Sequence, residues 1–196
     1  NTPNLRDFHE TENLKKVIKA VKVGIFNSKI KNVELPIFLK IAPDIDETNL
    51  ETIIKVAYNQ KITGLIISNT TIERITGLKS KNINEVGGLS GKPLFSKSTN
   101  LLAVANQMIK TNNYKLYLIA AGGVSDQYSA YTKILCGADL IQLYSSMTYE
   151  GPMIANKIIK GIQDLMKRDN IQSLDDIRGI ASNVEIAVKI AKNGLK

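Results

Sequence analysis

Four short apolar runs, each ending in small or polar residues, narrow the folds open to this chain more than any other feature. They are Ile37–Asp44, Gly64–Thr71, Leu116–Gly123 and Ala138–Ser145. Continuous apolar runs of this length suit parallel strands buried on both faces. Polar groups at the C-terminal ends of such strands sit where β/α barrels carry chemistry.

The stretches between the runs carry helical spacing. Leu14, Val17, Ile18 and Val21 keep the i, i+3, i+4, i+7 pattern, as do Leu50, Ile53, Ile54 and Ala57. Asp46 stands where the second helix needs an N-cap, with Glu47 in its first turn. Leu101, Leu102, Ala105, Met108 and Ile109 predict a third helix, Tyr131, Ile134 and Leu135 a short fourth, and Ile154, Ile158, Ile162 and Leu165 a fifth. Ser173-Leu174-Asp175-Asp176 resembles a capping box with Asp in place of Glu, so a further helix is expected there. Alternation of helix and strand predicts right-handed βαβ units and an α/β fold with a parallel sheet. Four strands make either a small open sheet or half of an eight-stranded barrel, which typically needs about 250 residues. Half a barrel leaves two unpaired edges.

Composition removes several classes of function. At 196 residues and 43% hydrophobic, the chain is ordinary for a globular protein, and no apolar stretch approaches the ~20 residues of a membrane span. No signal-peptide pattern opens it; it begins Asn1-Thr2-Pro3, so the natural N-terminus is expected upstream. One cysteine, Cys136, rules out an internal disulfide and a cysteine-rich metal site. One histidine, His9, argues against Ser-His-Asp, Cys-His and multi-histidine metal sites, and no metal is expected. The net charge is +8, but the lysines are scattered and have few aromatic neighbours. That distribution reads as a solvated surface rather than a nucleic-acid face, and it suits work at an anionic membrane.

Gly122-Gly123 follows a buried run and precedes a helical stripe. Glycine there either closes a tight turn or lets a phosphate reach backbone amides. Tyr144-Ser145-Ser146 ends the next run and would complete a phosphate cradle, a frequent arrangement after the last strands of β/α barrels. Gly87-Gly88-Leu89-Ser90-Gly91-Lys92-Pro93 lacks the spacing of a Walker loop; it is either a flexible turn or a loop whose glycine packs on a cofactor. It closes the long stretch Ile72–Leu94, which has no periodicity, and loops of that length are often functional. Lys40 interrupts an apolar run. It either pairs with Asp44 or snorkels outward, or it faces the barrel mouth as a cation that stabilises developing negative charge. Asn69 and Thr70 end their strand as turn residues or as ligands for a small planar ring. Cys136 reads as a small buried residue, and His9 as a solvated one.

Taken together, these segments resemble class 2 dihydroorotate dehydrogenases, the membrane-associated, quinone-reducing flavoenzymes. The matching motifs are Asn1-Thr2-Pro3-Asn4-Leu5-Arg6-Asp7, Lys40-Ile41-Ala42-Pro43-Asp44, Ser68-Asn69-Thr70-Thr71, Gly87–Leu94, Gly122-Gly123-Val124 and Gln142-Leu143-Tyr144-Ser145, in family order over about residues 1–180. The resemblance implies a (β/α)8 TIM barrel, of which this chain supplies about strands five to eight, with FMN at the C-terminal mouth. It implies oxidation of dihydroorotate to orotate in pyrimidine biosynthesis, with ubiquinone as acceptor. By matched position, Lys40 supports the reduced flavin. Ser68, Gly91, Gly122, Gly123, Tyr144 and Ser145 hold FMN, and Asn1, Asn69 and Thr70 bind the substrate ring. The family's serine base precedes a Pro-Asn-Thr motif, which places it upstream of Asn1. Peripheral association with a mitochondrial inner or bacterial cytoplasmic membrane is implied through an N-terminal region outside this sequence. Residues 1–182 correspond to the barrel half, and 183–196 to a helical tail with Lys189, Lys192 and Lys196 on its surface. Two other readings stand beside this one. The chain is a different FMN barrel oxidoreductase with a soluble acceptor, or a non-enzymatic phosphate-ligand-binding α/β domain.

Overall fold

The computed structural model describes residues 11–28 and 35–195. The order is α1 (Thr11–Asn27), β1 (Phe38–Ile41), α2 (Glu47–Asn59), β2 (Gly64–Ile67), α3 (Phe95–Thr111), β3 (Tyr117–Ala121), α4 (Gln127–Leu135), β4 (Leu140–Gln142), α5 (Ser145–Glu150), α6 (Ile154–Arg168) and α7 (Val184–Asn193). All three strand pairings are parallel, and the sheet order β1-β2-β3-β4 is the chain order. The expected alternation therefore stands, and every predicted stripe lies on a helix. Ser173 and Asp176 do form a reciprocal capping box, but over a single 3-10 turn, Leu174–Asp176, rather than a long helix. The short helix α5 carries no apolar stripe and had no counterpart among the predicted elements.

Successive strand residues point to opposite faces, and the two faces differ. Ile41, Leu65, Ile67, Leu118 and Ala120 join Leu50, Ile53, Leu102, Ala105 and Leu135 of the helices in one core. The other face carries Lys40, Ile66, Ile119 and Leu140 in register across the sheet. Leu140 on this face is 61% exposed, and Tyr117 is 60% exposed. A sheet covered by helices on one face only, with apolar side chains on the other, has the layering of a barrel wall.

The helix starts follow local chemistry. Asp46 caps α2 by accepting from the Asn49 amide at 2.7 Å. Asp126 and Ser129 form a reciprocal capping box on α4. In α1, the stripe splits: Leu14 and Ile18 are buried, while Val17 and Val21 are partly open, because α1 meets its neighbour α2 along a narrow edge. The segment set apart in the sequence as a tail is helical over Val184–Asn193, and Lys189 and Lys192 face solvent. Its Ala187 and Ala191 sit in the main core, so residue 183 is not a packing boundary.

The long segment after β2 closes on itself. Thr71 and Leu89 exchange backbone hydrogen bonds of 3.1 and 2.7 Å, which brings the two ends of the excursion together. Arg74 gathers its interior by donating to the carbonyls of Ile72, Ile83, Glu85 and Gly87.

Candidate active site

The C-terminal ends of all four strands open into one cleft of about 990 Å³. Lys40, Ser68, Asn69, Thr70, Gly91, Gly122, Gly123, Tyr144 and Ser145 all line it. Every candidate site residue except Asn1, which lies outside the described residues as His9 does, is thus gathered at one place. Because the strands are parallel and in register, their ends share an edge of the sheet, and residues as far apart in the chain as Ser68 and Ala121 become neighbours.

Lys40 is the third residue of β1 and points to the face without helices, where it is exposed. It makes no ion pair or hydrogen bond among the described residues, and the pairing with Asp44 does not form. Asp44 is engaged elsewhere. Its carboxylate receives Lys97 at 2.9 Å, the Thr71 hydroxyl, and the Ile72 amide at 3.1 Å. Burial resists ionisation of Asp44, but these donors outweigh it and hold the carboxyl below the usual carboxylate range. Lys97 also meets Glu73. This cluster ties the end of β1 to the start of the long loop and to α3. Lys40 is left as a cation at the cleft.

Ser68 is buried, follows a cis Ile67–Ser68 peptide, and donates to the Asn69 carbonyl at 2.9 Å. Asn69 is exposed, and its side-chain oxygen accepts from the Thr70 amide at 2.9 Å. Its amide nitrogen has no partner among the described residues. Thr71, next along, belongs to the Asp44 cluster instead of the cleft.

The glycine pair is explained first by packing. Gly122 and Gly123 have φ of +104° and +76°, a region that favours glycine. A Cβ on Gly123 would lie 2.4 Å from Phe95 Cβ and 2.5 Å from Phe95 Cα, so this turn sits directly on the start of α3. The same closeness leaves the turn's backbone as cleft wall. Gly91 (φ +75°) approaches Ser145, whose hydroxyl donates to Ser90 Oγ at 3.0 Å. The loop before α3 is therefore joined across the cleft to the end of β4.

One cleft residue stands out from its neighbours. Ser146 is buried, and its Oγ has no hydrogen-bond partner among the described residues. A buried, unsatisfied hydroxyl costs roughly 1–3 kcal/mol, and this one lies in the wall of the cleft. A polar group seated there would satisfy it. Together with the Ser90–Ser145 hydroxyl pair and the glycine turn of the same cleft, it suits an anion rich in acceptor oxygens.

Residues 1–166 match the family profile described as dihydroorotate dehydrogenase. The chain belongs to the dihydroorotate dehydrogenase family. Similar curated proteins include the dihydroorotate dehydrogenase (quinone) of Sinorhizobium medicae, 42% identical over 179 residues, and that of Rhizobium meliloti, 44% identical over 180. Each alignment covers 91% of this chain and 49% of the relative. The chain thus spans about half the length of the curated relatives it matches. Among solved structures, the dihydroorotate dehydrogenase of Eimeria tenella in complex with ferulenol superposes with a TM-score of 0.82 at 30% identity, over 92% of this chain and 51% of the other. Its ligand-free form gives a TM-score of 0.83. The four βα units are therefore about half of the (β/α)8 barrel of dihydroorotate dehydrogenases, and the expected fold class holds.

Sequence patterns placed Ser146 in the Tyr144-Ser145-Ser146 cradle without showing that it lacks a partner, and they did not single out Lys133. The unpaired state of Ser146 depends on what surrounds it in space. Lys133 lies behind the cleft, wholly buried in α4 with its ammonium on Ser98 at 2.7 Å. Its only sequence signal is a place between the stripe residues Tyr131 and Ile134. Among the described residues, no group of three or more potential metal ligands comes together, and no helix is long and apolar enough to cross a membrane.

Proposed function

We propose that the protein containing this chain oxidises dihydroorotate to orotate, with FMN held in the cleft and a quinone as the final acceptor. One observation carries the reading. Nine of the residues matched to the family's flavin and substrate motifs, spread from Lys40 to Ser145, line a single cleft at the strand ends.

The residues present fit FMN. A phosphate monoester offers the acceptor oxygens that the orphaned Ser146 hydroxyl, the Ser90–Ser145 hydroxyl pair and the Gly122–Gly123 turn call for. In this reading Gly123, Tyr144 and Ser145 hold the phosphate end, while Ser68, Gly91 and Lys40 line the rest. FMN, when bound, supplies the acceptor for a hydride from the substrate. Lys40 brings an uncommitted ammonium to the cleft, where it stabilises negative charge that develops during the reaction. Asn69 and Thr70 offer an amide and a hydroxyl to a planar, polar ring. Asn1 is assigned to the same ring by its motif. The family's serine base belongs upstream of Asn1. An apolar quinone acceptor would bring the protein to a membrane surface, which its net charge of +8 would favour on anionic lipid.

The test is the visible spectrum of the full-length protein. A flavin spectrum that bleaches when dihydroorotate is added without oxygen, and recovers on adding a quinone, is the expected outcome. Replacing Lys40 with Ala is expected to slow the bleaching about a hundredfold or more, the usual effect of removing a group that stabilises transition-state charge. A colourless protein that FMN does not reconstitute overturns the reading. A bleached flavin that a soluble acceptor reoxidises and a quinone does not would favour a barrel oxidoreductase of another kind.

A further inference from the structure

Lys133 is the one fully buried cation among the described residues, and neither the fold nor the site above uses it. It lies in the middle of α4, with its ammonium donating to Ser98 Oγ at 2.7 Å and standing 5.4 Å from the centre of the Phe95 ring. No carboxylate pairs with it among the described residues. Burial draws its pKa down to about 7, and the one titratable group acting on it among the described residues is Cys136, the C-cap of α4. Burial in turn pushes that thiol up to about 12, so it offers no anion near neutral pH. From α3 the ammonium is faced by Ser98 and Phe95, which do not titrate in this range.

An ammonium has three donors, and a buried cation without a counter-ion is costly. Its surroundings show what the position gives in return. Ser98 Oγ, the acceptor of Lys133, also lies 3.2 Å from the Gly122 carbonyl oxygen and 3.1 Å from that of Phe95. A Cβ on Gly122 would meet the same hydroxyl at 2.9 Å. Phe95, beside the ammonium, is the residue on which Gly123 rests. Lys133 therefore stands one hydroxyl behind the glycine turn that forms the cleft wall, and it touches both contacts that fix the turn.

We propose that Lys133 is a positioning residue for the phosphate end of the cleft: through Ser98 it holds the Gly122–Gly123 turn, and its ammonium places behind the turn the positive charge that a ligand's phosphate dianion neutralises. The inference rests on the FMN reading given above. A neutral residue of similar size could hold the turn by packing, but only a cation at this position adds charge to the preference for a phosphorylated ligand over its phosphate-free counterpart.

The discriminating comparison is FMN against riboflavin, which share the ring and differ in the phosphate. Dissociation constants of both are measured by fluorescence on the full-length protein stripped of flavin. Lys133→Met is expected to weaken FMN about tenfold, the scale of one charge across a partly screened distance, while riboflavin is unaffected. Lys133→Arg should keep most of the preference. If FMN and riboflavin weaken together, or neither changes, Lys133 only supports the fold and the inference fails. Should Lys133→Met not unfold cooperatively, the unaltered protein decides. Above about pH 7 the phosphate is already dianionic, so the preference for FMN over riboflavin should fall between pH 7.5 and about 9 as the ammonium loses its proton. A flat ratio over that range overturns the inference. An unaltered protein that binds neither flavin overturns the FMN reading together with it, whereas an unchanged ratio overturns this inference alone.

Discussion

At the scale of single residues, the electrostatics of this half-barrel separate into committed and uncommitted charges. Asp44 is committed: three donors converge on it, and its carboxyl is held below the ordinary range. A depressed carboxyl binds fewer protons folded than unfolded, so the stability it confers is full above the unfolded carboxylate pKa and is lost as pH falls through the folded value. Asp44→Asn is therefore expected to lower the thermal midpoint of the full-length protein near neutral pH and to flatten its decline below about pH 4. Midpoints measured across pH 3–7 for both proteins check this; parallel curves would mean that Asp44 does not shape the acid limb. Lys40 is uncommitted, and here the sequence said a good deal. A lysine inside an apolar strand admitted a pair with Asp44, outward snorkelling or a place at the barrel mouth, and the structure removes the first, because Lys97, 53 positions past Asp44, takes the carboxylate that Lys40 would have needed. That competition is non-local, so no inspection of the segment around Lys40 could reveal it. Lys133, and the unsatisfied state of Ser146 within its cradle motif, were hidden for a related reason. Burial without a partner is a property of the surroundings, and the chain near each residue carries no mark of it.

At the scale of elements, what was legible depended on length and period. Helices of thirteen to seventeen residues, such as α2, α3 and α6, show their stripes directly. The six residues of α5 are too few to repeat a pattern. Caps were legible when they stood before a clear stripe, as Asp46 does. They were missed when the stripe was short, as with Asp126, whose box with Ser129 starts α4. That cap has a measurable weight. Asp126→Ala removes the acceptor of the Ser129 amide, 2.7 Å away, and should cost about 1 kcal/mol of stability. Urea unfolding of the full-length protein, with an unchanged slope and a lower midpoint, is the expected result. Loss below 0.3 kcal/mol would show that the rest of α4 holds its first turn without the cap. At the other end of the fold, α7 shows how neighbouring elements finish one another. Arg168, the last residue of α6, pairs with Asp169 and donates to the carbonyls of Ile190, Ala191 and Lys192. Its guanidinium thus reaches the last carbonyls of α7, sharing that of Ile190 with the Gly194 amide. The lysine spacing revealed the outer face of α7; the alanines that bury its inner face are too common to have marked it.

At the scale of the whole molecule, one sheet face is sealed by helices, and the other carries Tyr117 and Leu140 into the open beside a half-buried Ile66. An apolar patch of this kind seeks cover. The 196-residue chain taken by itself is expected to sediment as associated species and to enhance the fluorescence of an apolar dye, and Leu140→Glu should reduce both. A monodisperse monomer that leaves the dye dark would mean that this face is covered in a way the structure does not show. The barrel class itself was legible because βαβ alternation and polar strand ends are both local patterns that repeat. The shape of the cleft was not, since it depends on which strand ends become neighbours. Sheet order supplies that information, and it has a further consequence for how the molecule comes into being. Among the described residues, each strand pairs only with strands next to it in the chain. During synthesis, β1 and β2 are both complete before α4 has been made, and each later strand arrives at an edge already waiting for it. This half of the wall can grow in the order in which the ribosome delivers it, and only closure of the barrel, which joins its first and last strands, waits for a partner distant in the chain.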